Sequence, residues 1–424
     1  MKVLWICNRC PAIFAEAAGI KASNMEGWVT GALEILMRHS KEDGIHLAVA
    51  FPVQQDEAVH GKVKGVEYFG FVEDIAHPEN YDPALASALG MICEEFHPDV
   101  IHVFGTEYPH TLAMMRVQEW KKRAVVHMQG VMQRCAEEYF AGLPDDIIDR
   151  ATLRDVFKKD SLSRQKEKYE GRALNEQQAL ELADQVCGRT DFDKAFFARI
   201  HPDAVYYSIN ESLRSCFYEG AWDPDACEPY SICVAQGNIP LKGAHVIIEA
   251  LSLIKDRYPE AKLKIAGDDI LGGEDPISAI RRSEYGEYLR SLVKKYELQE
   301  RVRFMGQLKD TEMKEMYLSS YVFVLPSFIE NSPNSLGEAM LLGMPCIASR
   351  VGGIPSMATD EEISYVSAGS AEELAEAISN VFENREAALI SAAAGRKRAM
   401  LTYDREANYK MLKWIYDSII KDNS

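Results

Sequence analysis

The chain opens on Lys2-Val-Leu-Trp-Ile-Cys7, an apolar run that predicts a strand buried on both faces. A loop leads to Gly27, and the apolar spacing from Trp28 to Met37 predicts a helix. The same alternation continues. Strands are expected at 46–51, 100–104 and 124–128, with helices at 84–96 and 111–119 between them, and short strands follow at 185–188 and 205–209. Strands alternating with helices imply a parallel sheet covered by helices.

Residues 218–229 are polar and hold Gly and Pro, which predicts a linker. Beyond it the pattern restarts, with strands expected at 231–235, 262–266, 302–305, 322–325 and 346–349 and helices at 243–258, 284–296, 311–318 and 336–342. An amphipathic stretch, 405–420, is left over after the second sheet and is expected to return to the first domain. The reading is therefore α/β: two Rossmann-like doubly wound domains facing across a cleft. The first spans 1–217 with helix 403–424 packed back on it, 218–229 is the linker, and the second spans 230–402. Open sheets of this kind bind ligands beyond the carboxyl ends of their strands.

A length of 424 residues suits two domains, and 47% apolar with 26% charged residues is a globular composition. The formal net charge of −18 repels nucleic acid and anionic lipid at long range, so no nucleic-acid partner is expected. Any phosphate handled is expected to be small and bound in a pocket. The one candidate surface for an anionic acceptor or a membrane is the basic stretch within 150–186; its interspersed acids favour a solvated helix face. The N-terminal apolar run is too short for a secretory signal, and no stretch reaches the ~18 apolar residues of a membrane span. Nine scattered cysteines read as reduced thiols of a cytoplasmic chain. Cys7 and Cys10 have metal or redox spacing without a second pair, and a strand residue beside a loop residue is the preferred reading.

The most informative stretch is Pro326-Ser-Phe-Ile-Glu-Asn-Ser-Pro-Asn-Ser-Leu-Gly-Glu338. It follows an apolar strand and starts a helix near 333–335, with Glu330 ahead of the helix and Glu338 in its first turn. Helix-start N–H groups favour phosphate oxygens, and a carboxylate one turn in can accept from a ribose diol. The alternative is that Asn334 or Ser335 only caps the helix, with Glu338 gaining from the dipole and Glu330 exposed.

The E-x7-E spacing of Glu330 and Glu338, in LPSFIENSPNSLGEAMLLGMPCIASRVGGIP, resembles family 4 glycosyltransferases of GT-B architecture. CVAQGNIPLKGAHVIIEAL, KLKIAGDD and VRFMGQLKDTEMKEMYLSSYVFVLPS extend the likeness over nearly all of the second half. IHVFGTEYPH, VVHMQG, YFAGLP and GRTDFD are similar, more loosely, to a bacterial subset of that family. The resemblance implies that Glu330 contacts the donor sugar, Glu338 the ribose and Lys242 the diphosphate. Gly237, Asn238, Asn334, Ser335 and Leu336 complete the implied donor set.

Two departures stand out. The family usually has an Arg shortly before the Lys; here Asn238 takes that place, and an amide cannot supply charge. Where the family often has a His before a Gly, this chain has Gln129, with His127 two residues earlier on the same strand face. His127 reads equally as catalytic or as a satisfied histidine under the cleft. Weaker acceptor-side or cleft candidates are Gly27, Glu107, His110, Arg189, Thr190, Asp191, Asn210 and Glu211, with the Gly188 to Asp191 turn expected to face anionic donor groups.

These readings converge on a retaining, metal-independent hexosyltransferase with no cofactor, using a nucleotide-diphosphate sugar as co-substrate. A leaving diphosphate develops charge that a lysine and helix-end N–H groups stabilise without a metal. The acceptor is expected to be a saccharide, a glycoconjugate or a lipid-linked molecule of bacterial polysaccharide assembly, with transient contact at the inner membrane face. The competing readings are a silent nucleotide-sugar-binding subunit and a GT-B sugar-nucleotide epimerase.

Overall fold

The computed structural model describes residues 1–20, 27–54, 59–273 and 275–423. It divides into two compact units: Met1–Gln133 with Lys168–Arg214 and Tyr403–Ser424, and Arg134–Glu167 with Ser215–Thr402. Segment 134–167, which the sequence reading leaves inside the first domain, thus belongs with the second unit.

In the first unit, strands β1 (Lys2–Ile6), β2 (His46–Val53), β3 (His60–Val63), β4 (Val66–Val72), β5 (Val100–Phe104), β6 (Ala124–His127), β7 (Gln185–Gly188) and β8 (Val205–Ser208) form one sheet. Their order is β3-β4-β2-β1-β5-β6-β7-β8. All neighbours are parallel except β3, which runs antiparallel to β4. Strand β3 escapes the hydrophobic pattern because His60-Gly-Lys-Val is polar and exposed on alternate positions, whereas β4 is apolar and mostly buried.

Alternation along β1 sends Val3, Trp5 and Cys7 to one core and Leu4 and Ile6 to the other. The first core is closed by helix Gly27–His39 through Val29, Leu33 and Leu36, and by helix Arg405–Asp422 through Tyr409, Leu412, Ile415, Tyr416 and Ile419. The C-terminal helix is keyed in by polar contacts as well. Trp5 Nε1–H donates to the Tyr416 hydroxyl at 2.9 Å, and His102 Nδ1 lies 2.7 Å from the same oxygen, all of it buried.

In the second unit, β9 (Ser231–Val234), β10 (Lys262–Ile265), β11 (Val302–Phe304), β12 (Val322–Leu325), β13 (Cys346–Ser349) and β14 (Ser364–Val366) form a parallel sheet in the order β11-β10-β9-β12-β13-β14. This is the dinucleotide-fold order, with the chain reversing its winding between β9 and β12. The 218–229 segment departs from the expected linker. Trp222 is buried, its Nε1–H donating to the Ser320 carbonyl at 2.7 Å, because an indole of that size finds its burial on the second unit rather than in solvent. Among the described residues no helix is long and apolar enough to cross a membrane.

Candidate functional site

The winding reversal makes the loops after β9 and β12 neighbours at the carboxyl edge of the second sheet. The first loop ends in a short turn, Pro240–Lys242, before helix Ala244–Ile254; the second runs from Pro326 to Pro333 before helix Asn334–Leu342. Glycine is required where they meet. Gly243 has φ +67°, and a Cβ there would stand 2.0 Å from the Pro326 carbonyl oxygen. Phe328 N–H donates to the Leu241 carbonyl at 2.9 Å and locks the two loops together.

That lock brings the two expected charges into contact. Lys242 Nζ is 2.6 Å from Glu330 Oε1, with the lysine 22% and the carboxylate 11% exposed. Ser327 Oγ donates to the same oxygen at 2.8 Å. The Glu330 carbonyl accepts from Gly353 N–H at 3.0 Å, and a Cβ on Gly352 would overlap it at 1.9 Å. Gly352 and Gly353 therefore hold Glu330 in place from behind.

Helix Asn334–Leu342 starts beside this pair. Its N-cap residue is Pro333, which supplies no side-chain cap, and Asn334 and Ser335 are half-buried while Leu336 is buried. Glu338 stands a full turn in rather than in the first turn, buried, with the Tyr317 hydroxyl donating to its Oε2 at 3.5 Å. Gly237 is buried where a Cβ would stand 2.7 Å from Ile265, so its role is close packing of the loop on β10. Asn238 Oδ1 is buried with no hydrogen-bond partner among the described residues.

The first unit places its candidates differently from the expectation. Gln129, Arg189 and Glu211 follow the adjacent strands β6, β7 and β8 and close a ring. Arg189 donates to Glu211 Oε2 at 2.7 Å and to Gln129 Oε1 at 3.1 Å, and Gln129 Nε2 donates to Glu211 Oε1 at 2.8 Å. The Arg189 and Glu211 side chains are 4% and 3% exposed. The expected free Arg189 is therefore not what the structure shows, because its charge is already matched inside the unit. Thr190 is the N-cap of helix Asp191–Ile200, its side chain accepting from Asp193 N–H, and Asp191 opens that helix.

His110 is likewise no ligand-facing residue. It is fully buried in helix Pro109–Arg116, with Nδ1 2.8 Å from Glu73 Oε2. His127 is buried too, its Nδ1 3.2 Å from His102 Nε2, while Cys187 Sγ lies 3.7 Å from that same nitrogen. Burial holds the His102 imidazole down at about 3 and His127 well below its usual range, so both are neutral, and burial pushes the Cys187 thiol up. Among the described residues this trio is the one grouping with metal-ligand chemistry. Cys7 and Cys10 are buried thiols, and burial pushes Cys10 up to about 12. Gly27 opens helix Gly27–His39, and residues 21–26 before it lie outside the described residues.

Sequence reasoning passed over Arg9 and counted Arg172 only as one residue of the basic stretch within 150–186. Arg9 Nη2 donates to the Tyr108 hydroxyl at 3.0 Å, Arg172 Nε donates to the Glu107 carbonyl at 3.0 Å, and both guanidinium groups lie within 6 Å of the Tyr108 ring. These contacts gather at the carboxyl ends of β1 and β5, where the first sheet reverses its own winding. Glu107 is half-buried, with Asn8 Nδ2 3.5 Å from its Oε2. Glu176 lies behind the same edge, accepting from Thr106 Oγ1 and, at 2.7 Å, from Met132 N–H. Arg172 belongs to the stretch read as the one candidate surface for an anionic acceptor, and its neighbours Glu167 and Glu170 favour a solvated face there.

Residues 224–398 match the family of glycosyl transferases group 1. A D-inositol 3-phosphate glycosyltransferase of Corynebacterium glutamicum is 29% identical over 123 residues, covering 29% of this chain and 28% of that protein. The sulfoquinovosyl transferase SQD2 of Arabidopsis thaliana is 27% identical over 185 residues, 41% of this chain and 33% of that one. These alignments span about a third of the length of the curated relatives. Among solved structures, a sucrose-phosphate synthase of Thermosynechococcus elongatus superposes with a TM-score of 0.70 at 18% identity, covering 100% of both chains. HepE of Anabaena, in complex with UDP-glucose, gives 0.65 at 16% identity over 99% of this chain and 100% of that one. The fold is that of the GT-B glycosyltransferases.

Proposed function

We propose that the chain is a glycosyltransferase that moves a hexose from a nucleotide-diphosphate sugar to a saccharide or glycoconjugate acceptor with retention of configuration and without a metal. The observation that carries this reading is the Lys242–Glu330 pair, fixed at the winding reversal of the second sheet beside the start of helix Asn334–Leu342. Without donor, each charge neutralises the other. An arriving diphosphate draws Lys242 away, and Glu330 is released to accept from hydroxyls of the sugar. As the glycosidic bond breaks, charge grows on the leaving phosphate, where the ammonium of Lys242 and the helix-end N–H groups are already aimed. Asn238 contributes an amide, so Lys242 carries the positive charge of this loop.

A single carboxylate near the sugar does not make the pair that a covalent glycosyl-enzyme route needs. Front-face displacement assisted by the leaving phosphate is the route that fits. A neighbour of the same fold holds UDP-glucose, which makes uridine diphosphate hexoses the first donors to try. On the acceptor side, Arg9 and Arg172 form no ion pair among the described residues, which suits an acceptor bearing phosphate or carboxylate.

The test is donor turnover with a panel of uridine, guanosine and adenosine diphosphate sugars, with and without chelator, reading the anomeric configuration of the product by proton NMR. Retained configuration at a chelator-insensitive rate is the expected result. Inversion, a metal requirement, or binding without any transfer or hydrolysis would each remove the corresponding part of the reading.

A further inference from the structure

Helix Leu153–Lys158 is built inside out. Its polar residues hold it to the second unit: Asp155 is buried, accepting from Glu284 N–H at 2.8 Å and from Arg154 at 2.8 Å, and Thr152 Oγ1 donates to the Arg282 carbonyl at 2.8 Å. A capping box between Thr152 and Asp155 fixes its start, and Lys159, at φ +52°, ends it. Its apolar residues point into solvent instead, with Leu153 74%, Val156 66% and Phe157 90% exposed. Scattered exposed apolar residues are ordinary; three on a clamped single turn, with the carboxylate inside, are not.

We infer that this turn is a wedge that enters the headgroup region of an anionic lipid bilayer. Two observations choose that occupant. Lys158 and Lys159 follow Phe157 directly, are exposed, and have no ion-pair partner among the described residues. Apolar side chains flanked by lysines suit the boundary between acyl chains and lipid phosphates. The size of the feature also counts. Three side chains fall far short of the ~800 Å² per partner of a stable protein interface, whereas insertion of a few apolar groups is a working unit of reversible membrane contact. At a net charge of −18 the whole chain is not drawn to anionic surfaces, so attachment has to rest on such a local feature. This inference goes beyond the donor reading and does not depend on it.

The test uses the full chain and vesicles of phosphatidylglycerol with phosphatidylcholine, beside vesicles of phosphatidylcholine alone, with no donor or acceptor present. The chain should float with the mixed vesicles, and the emission of a Phe157→Trp variant should shift to the blue as it does so. Phe157→Asp should weaken flotation by roughly tenfold or more while leaving the thermal transition unchanged, since the residue is solvent-exposed. Lys158→Glu with Lys159→Glu should remove the preference for phosphatidylglycerol. The inference fails if Phe157→Trp emission ignores both vesicles, or if Phe157→Asp floats as the parent does. It fails equally if the parent is a dimer that Phe157→Asp splits, because the turn then faces a second copy.

Discussion

Lys242 and Glu330 are 88 residues apart in sequence and 2.6 Å apart in space, joined because their loops leave neighbouring strands of one sheet. A partly exposed pair of this kind adds little to stability, about 1 kcal/mol or less, so its placement points to chemistry. Lys242→Ala and Glu330→Gln should each lower turnover by roughly 10²–10³-fold and move the thermal midpoint by only a few degrees. Initial rates beside melting curves check this, and near-normal rates in both variants would take the site elsewhere.

The lock beneath that pair is Gly243. Alanine there meets both the left-handed backbone, a cost of about 1–2 kcal/mol, and the Pro326 carbonyl, so the two loops must part. Gly243→Ala should lower the urea midpoint and weaken donor binding together. A variant less stable but with donor affinity intact would show that the loop junction does not set the site.

The Gln129–Arg189–Glu211 ring makes a contrasting forecast. Arg189→Leu strands a buried carboxylate and should cost about 3–5 kcal/mol, while Arg189→Leu combined with Glu211→Leu should recover most of that loss. Donor affinity of the double variant should match the parent. Calorimetry and donor titration separate these outcomes, and a stable Arg189→Leu protein that cannot bind donor would return the arginine to the donor site.

Glu176 gives a pH dependence of known sign. Burial, the largest influence, holds its carboxyl up at about 8 from an ordinary 4.5. Between those values the native state keeps a proton that the unfolded chain has lost, so this group's contribution falls as pH rises through that window and is level above it. Glu176→Gln removes the slope. The variant should match the parent near pH 4 and exceed it, by on the order of a few kcal/mol, near pH 9. Denaturant curves at several pH values decide, and parallel pH profiles would count against the buried proton.

Tyr416 joins Trp5 and His102 across the first core. Tyr416→Phe leaves both partners facing a ring edge and should cost about 1–3 kcal/mol, with loss of the cooperative transition as the extreme case. An unchanged midpoint would mean that water replaces the hydroxyl.

The sequence shows what repeats or is local. Buried strands such as Val322–Leu325 read directly as apolar runs, and the carboxylates at 330 and 338 read from their spacing along one loop and helix. Partners set by distant chain crossings do not read that way. Arg189 looked available because the acid that neutralises it comes 22 residues later, on another strand end. His110 looked like a loop residue because its partner, Glu73, lies 37 positions earlier. The apolar residues of Leu153–Lys158 merge, in sequence, into a charge-rich stretch, and only their exposure marks them as unusual.

The helix that completes the first core, Arg405–Asp422, comes after all of Ser215–Thr402 in the chain. On the ribosome the second unit can therefore reach its native state before that helix emerges, while one face of the first sheet still lacks part of its cover. That order inverts the usual N-terminal-first sequence and gives a chaperone a defined target, the apolar surface around Trp5 and Val49 that Tyr416 and Ile415 later occupy.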